Sequence, residues 1–213
     1  RSKEKKKGTK EGCNEGDCGA CTVVIIELID NKLMFYAVNS CVFLLPAVNG
    51  KQVLTVNDLA NEKLHQIQQV FVEQHASQCG FCTPGFIMSA FAQKAQKINS
   101  SAQDIIDAFA GNLCRCTGYE SIEKSAFKIE KIANSQYFER YACPELIKSI
   151  EQEKNISISC NSFNYILPIN FQEALSFKNI YRNYAVINGS TDIALKINKA
   201  KETIYNIGGA DRY

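Results

Sequence analysis

Three thiols packed into nine residues constrain this chain more than any other feature. Cys13, Cys18 and Cys21 follow the spacing C-x4-C-x2-C, and Cys41 follows after 19 intervening residues. That order is the plant-type spacing for a [2Fe–2S] cluster. Three ligands on one looped segment and a fourth from an adjacent strand end are what two irons need. Gly12, Gly16 and Gly19 punctuate the loop, so the backbone can wrap and aim N–H groups at the sulfurs. Zinc favours C-x2–4-C pairs set apart. Cys13, Cys18, Cys21 and Cys41 are therefore read as one [2Fe–2S] ligand set.

A second set reads Cys79-x2-Cys82, then 31 residues, then Cys114-x-Cys116. Here the spacing leaves [2Fe–2S] and zinc both open, because two cysteine pairs also suit zinc. Ten cysteines in 213 residues is below the roughly 8–10% of a disulfide scaffold. The basic start, Arg1 to Lys7, has no apolar stretch behind it, so no secretory signal is expected and disulfides are disfavoured. Cys143 and Cys160 have no close-spaced partner and read as ordinary cysteines. His65 and His75 sit ten residues apart, off one helical face, and read as surface or satisfied helix residues.

Composition excludes several classes. Hydrophobic residues are 46% and charged residues 22% of the chain, ordinary globular usage. Basic residues outnumber acidic by 24 to 22, too few for a nucleic-acid partner. No apolar run approaches the roughly 20 residues of a membrane span. The lysine run at 3–7 reads as a solvated end.

Residues 22–29, 33–38 and 53–56 read as strands of a small sheet with cysteines in its loops. From residue 64 the period turns helical, with Leu64, Ile67, Val70 and Phe71 on one face. Thr83-Pro84 predicts an N-cap and first helical position. Ser101-x-x-Asp104 predicts a capping box, for a helix that stops at Gly111. Ile122, Ala126, Ile129 and Ile132 mark a fourth helix, and the four pack as two antiparallel pairs. Residues 139–162 read as a linker with a short helix at Glu145–Glu153. Phe171–Phe177 reads as a helix, Tyr184–Ile187 as a strand, and 188–192 as a turn into a helix through Leu195. The fold class is α+β, in four parts. Residues 1–62 read as a small-sheet domain with cysteines in its loops, N-terminally incomplete. Residues 63–138 form a helical domain, 139–162 the linker, and 163–213 the start of a further α+β domain that ends before it can bury its own core.

The runs Cys13-Asn14-Glu15-Gly16-Asp17-Cys18-Gly19-Ala20-Cys21-Thr22, Asn39-Ser40-Cys41, Ser77-Gln78-Cys79-Gly80-Phe81-Cys82-Thr83-Pro84-Gly85-Phe86 and Gly111-Asn112-Leu113-Cys114-Arg115-Cys116-Thr117-Gly118-Tyr119 together resemble the iron–sulfur portion of the molybdenum hydroxylases. With a flavin segment behind them, their order is similar to the small subunit of bacterial xanthine dehydrogenases. The resemblance is most specific over residues 8–132. It implies a β-grasp ferredoxin-like domain, a four-helix [2Fe–2S]-binding bundle and the start of an FAD-binding domain. It implies one cluster on Cys13, Cys18, Cys21 and Cys41 and another on Cys79, Cys82, Cys114 and Cys116. Gln78 matches a family glutamine that hydrogen-bonds the molybdopterin held by a large partner subunit. Val186, Ile187, Asn188, Gly189, Ser190, Thr191, Asp192 and Ile193 resemble the family's first FAD contact, with Ser190 and Thr191 toward the pyrophosphate.

The resemblance implies an oxidoreductase subunit that is inactive by itself and has no acid, base or nucleophile of its own. Electrons from a molybdenum site would pass through two clusters to FAD and on to NAD+, in purine oxidation to urate and in the cytoplasm. The alternatives are the equivalent subunit of an aldehyde- or N-heterocycle-oxidising relative, an inactive fragment, and a zinc-stabilised scaffold. The chain departs from the family in lacking the first hairpin ahead of Arg1 and the later FAD motifs. Ala76 stands where glycine is common, and Glu120-Ser121 where Arg-Pro is common. Phe81, between two ligands, reads equally as a water shield or as packing.

Overall fold

Residues 6–97, 99–132, 140–141, 148, 156–160, 163–181, 184–200 and 206–209 are described in a computed structural model of the protein. The β-branched run behind Cys21 forms β1 (Thr22–Ile29), paired antiparallel along its length with β2 (Lys32–Asn39). Asp30 and Asn31 take φ of +48° and +59° in the two-residue turn, a conformation these side chains tolerate. β3 (Gln52–Leu54) pairs on the other side of β1, giving the order β2-β1-β3. The third strand stops earlier than its β-branched sequence predicts. Thr55 instead caps α1 (Val56–Leu59), its N–H and hydroxyl donating to Asp58 Oδ2 at 2.8 and 2.7 Å. The local cap outweighs strand propensity there. Asp58 also accepts from Lys6 Nζ at 2.6 Å, so the lysine run is not wholly solvated.

Four further helices follow: α2 (Gln66–Glu73), α3 (Thr83–Gln96), α4 (Ala102–Ala108) and α5 (Glu120–Ile129). Leu64 lies outside α2 and is exposed. His65 caps that helix, its Nδ1 accepting from Ile67 N at 3.2 Å while Gln68 Oε1 accepts from His65 N at 2.9 Å. Helix α3 is capped by Cys82, which already has helical dihedrals, and not by Thr83. The Thr83 hydroxyl donates to Ser77 Oγ at 3.0 Å instead. Ser101 and Asp104 form the expected reciprocal cap. Helix α4 closes at Phe109, two residues short of Gly111.

One core runs through sheet and helices. Val24, Ile26, Phe35 and Leu54 pack with Phe86, Met88 and Phe91 of α3, and these with Ile105, Phe109, Ile122, Ala126 and Ile129. Phe86 and Phe109 meet edge to face with centroids 5.2 Å apart, a favoured aromatic geometry. Because α3 lies between the sheet and the other helices, it is apolar nearly all round. Even Lys94 is buried on it, its Nζ donating to the Glu130 carbonyl at 3.3 Å.

A second sheet has the order β4-β5-β7-β6, from β4 (Ile156–Cys160), β5 (Phe163–Leu167), β6 (Ala185–Ile187) and β7 (Asn206–Gly209). β4 pairs antiparallel with β5, and β7 runs parallel to both β5 and β6. Helices α6 (Phe171–Ile180) and α7 (Thr191–Leu195) accompany it. β4 falls inside the stretch read as a linker, although Ile-Ser-Ile-Ser-Cys carries a period of two. Of the helix expected at Glu145–Glu153 only Lys148 is among the described residues, and it is helical; Cys143 lies outside them, as does the side chain of Cys160. Among the described residues no helix is long and apolar enough to cross a membrane.

Burial, and then the nearby Arg140 charge, push the His65 imidazole down from 6.5 to about 4. The unfolded chain therefore takes up the proton first. The stability from the neutral cap is complete above about pH 6.5 and is lost as pH falls toward 4. A His65→Asn variant keeps a capping side chain without the titration. Its thermal midpoint is expected to fall less between pH 7 and pH 4.5 than that of the unaltered protein. Equal falls in a calorimetric series would refute this.

Candidate metal centres

Pairing of β1 with β2 puts Thr22 opposite Asn39, so Cys21 at one strand start meets Cys41 just past the other strand end. Cys13 and Cys18 sit in the loop ahead of β1. The Cys13 sulfur accepts N–H groups from Glu15, Asp17 and Cys18 at 3.3–3.4 Å, and the Cys18 sulfur accepts from Cys13 N at 3.4 Å. A Cβ on Gly12 would stand 2.9 Å from the Cys18 sulfur, so glycine keeps that wall of the cage open. The thiols draw together two by two, Cys13 with Cys18 and Cys21 with Cys41.

The second set is built from the turn before α3 and the loop between α4 and α5. It too is paired. Cys79 and Cys116 lie with sulfurs 3.6 Å apart, both exposed. Cys82 interacts with Cys114, which is buried. Two irons each take two thiolates from such an arrangement, whereas a structural zinc gathers four donors about one ion. Both donor sets fit a [2Fe–2S] group.

Burial opposes ionisation of Cys13, but the three N–H groups on its sulfur together outweigh it and hold the thiol at about 7. Burial, and then the neighbouring Cys21 thiol, push Cys41 up to about 12. Burial, and then Cys114, do the same to Cys82, also to about 12. Cys114 moves the other way. Burial raises it, but the Thr117 hydroxyl and N–H, 3.1 and 3.5 Å from its sulfur, prevail. Tyr119 completes that ring, its N–H donating to Thr117 Oγ1 at 3.2 Å and its phenol oxygen accepting from Cys114 N at 2.9 Å. Thr117 and Tyr119 were visible as part of a motif but not as hydrogen-bond partners, since spacing does not announce side-chain geometry.

The two sets are joined directly. Leu113 N donates to the Cys18 carbonyl at 2.9 Å. Buried Asn112 donates to the Gly19 carbonyl at 3.0 Å and accepts from Ser89 Oγ at 2.7 Å. A Cβ on Gly85 would collide with the Gly19 carbonyl, and one on Gly19 with that of Gly111. Phe81 is 44% exposed, and its ring edge reaches Gly12 of the first loop. Gln78 is exposed beside the exposed Cys79.

Of the residues read as a flavin contact, Ile187 is buried in a small core with Tyr165 and Leu167, against which Ile193 packs. Gly189 and Ser190 take φ of +69° and +61° in the turn before α7. Ser190 is buried, while Thr191 and Asp192 are exposed. A cavity of about 370 Å³ separates this turn from the first cysteine loop, with Gly16, Val42 and Phe43 on one wall and Gly189, Thr191 and Leu195 on the other.

The thiol pairs and their surroundings define an iron–sulfur protein. A family profile described as "[2Fe-2S] binding domain" matches residues 55–127, the stretch that holds the second cysteine set. Mouse xanthine dehydrogenase/oxidase is 45% identical over 118 residues, 54% of this chain and 9% of the mouse one. Quinoline 2-oxidoreductase from Pseudomonas putida is 33% identical, covering 68% of this chain and 76% of that one at a TM-score of 0.48. The aldehyde oxidoreductase of Desulfovibrio desulfuricans is 32% identical, covering 70% and 15% at a TM-score of 0.52. The chain is thus similar over 54% of its length to a xanthine dehydrogenase and over 70% to an aldehyde oxidoreductase, and it carries a [2Fe–2S]-binding domain at residues 55–127. It spans 9% of the length of the xanthine dehydrogenases it matches.

The spread of thiol acidities has a chemical readout, because the thiolate is the form that alkylates. In metal-free protein at pH 7.5, iodoacetamide is expected to modify Cys13 well before Cys41 or Cys82. Peptide mass spectrometry over a time course gives the order, and equal rates would refute it.

Proposed function

We propose that this chain is the iron–sulfur electron-transfer part of a molybdenum hydroxylase of the xanthine dehydrogenase type. In this reading Cys13, Cys18, Cys21 and Cys41 hold one [2Fe–2S] cluster and Cys79, Cys82, Cys114 and Cys116 the other. The observation that carries it is the pairing of eight thiols into two cages joined by the Leu113–Cys18 hydrogen bond. Bound [2Fe–2S] clusters take up and release single electrons at potentials set by their surroundings. The chain's own residues supply those surroundings. N–H groups of residues 15, 17 and 18 offset negative charge on Cys13, and Thr117 does so on Cys114. Burial keeps water from Cys21 and Cys114.

The face with exposed Cys79, Cys116 and Gln78 is read as the side toward molybdopterin in a large partner subunit. The Gln78 amide can donate and accept there. Residues 186–193 are read as part of an FAD site across the cavity from the first cage, with NAD+ as the final acceptor and a purine as substrate. Relatives named for quinoline and aldehyde oxidation favour a second reading, in which the partner subunit oxidises an N-heterocycle or an aldehyde. Activity of the co-purified complex toward xanthine, quinoline and aldehydes separates the two.

Anaerobically purified protein is expected to hold about four irons per chain and to give two distinct EPR signals on reduction. Stoichiometric zinc, or one signal, would overturn the reading. Thr117→Val removes one hydrogen bond to a ligand sulfur, worth about 0.5–1.5 kcal/mol. For a one-electron couple that is a shift of roughly 20–65 mV to more negative potential in the second cluster. Thr117→Ser is expected to keep the original value in the same redox titration.

A further inference from the structure

Just past the segment read as a flavin contact, the chain returns to the first cysteine loop. α7 runs into a π-helical turn over Lys196–Ala200. From that turn Asn198 Nδ2 donates to the Cys41 carbonyl at 2.7 Å and to the Asn14 carbonyl at 3.4 Å. Lys199 Nζ donates to the Cys13 carbonyl at 2.7 Å and pairs with Glu15 at 3.1 Å. One amide thus ties the loop that bears three thiols to the strand end that bears the fourth. The next residue puts a full positive charge against a ligand residue's backbone. Neither side chain belongs to a cysteine motif or to residues 186–193.

We propose that Asn198 and Lys199 form a clasp on the first cage, in which Lys199 is a positioning residue that favours electron uptake there and Glu15 opposes it. The proposal rests on the reading that Cys13, Cys18, Cys21 and Cys41 hold a [2Fe–2S] cluster. Taking up an electron adds one negative charge at the cage, and a cation close by lowers the energy of that state. Glu15 carries the opposite charge on the same loop, so its removal acts with the opposite sign. Side chains of both are about half exposed, so salt weakens the effect.

The test is a redox titration of the full chain, prepared anaerobically and followed by EPR. The signal that Thr117→Val shifts belongs to the second cluster and serves as the internal reference. Lys199→Gln is expected to move the other signal to a more negative midpoint, Glu15→Gln to a more positive one, and Lys199→Arg to leave it in place. Raising salt is expected to shrink the first two differences. Unchanged midpoints in both neutralising variants, or equal movement of both signals, would overturn the clasp while leaving the relay reading intact. If Lys199→Gln does not assemble its cluster, the sign of the Glu15→Gln shift decides. Absence of any [2Fe–2S] signal in the unaltered protein would overturn both.

Discussion

Contact between the two cysteine loops is the constraint on which the rest of the structure depends. The Leu113 N–H reaches the Cys18 carbonyl, and Asn112 is fixed between Gly19 and Ser89. A buried amide is costly unless its donors and acceptors are met. Here both ends of the Asn112 side chain are met, one by the sheet's loop and one by α3. The loops approach so closely that Gly19 and Gly85 have no room for a methyl group. Through bonds, Cys114 is then one residue and one hydrogen bond from Cys18.

The two cages differ in how they manage charge. Cys13 has three N–H groups on its sulfur, whereas Cys114 has one hydroxyl and one N–H. The first arrangement follows from a glycine-punctuated loop that turns its amides inward. The second needs a specific side chain, held by the left-handed turn at Tyr119, whose φ is +70°. Hydrogen bonding of ligand sulfurs is a principal means by which a protein sets cluster potential. The bundle cage therefore depends on residue identity and the loop cage on backbone path.

Much of this was legible in the sequence for physical reasons. Ligand spacing is short-range, so eight thiols could be sorted into two sets before any fold was known. Strand β1 declared itself by β-branching, β2 by returning as an apolar run after the Asp30-Asn31-Lys32 turn, and α4 by its reciprocal cap. Elements failed where a local competitor acted. Thr55 left the strand because Asp58 offered a cap, and Thr83 became the first helical residue because Cys82 was already helical. β4 was passed over because polar neighbours masked its alternation. Long-range partners such as Asn112, Ser89, Asn198 and Lys199 left no periodic trace, since their value arises only once distant loops meet.

The shared core has a further consequence for how such a protein can change. Val24, Ile26 and Phe35 lie in one buried cluster with Phe86, Met88 and Phe91. Cutting between sheet and helices would strip an apolar face from each half and leave neither enclosed. Exchange of whole modules is thus closed to this pair of cages. Their electron affinities can drift apart through single side chains placed against sulfur or backbone, while the framework stays common to both.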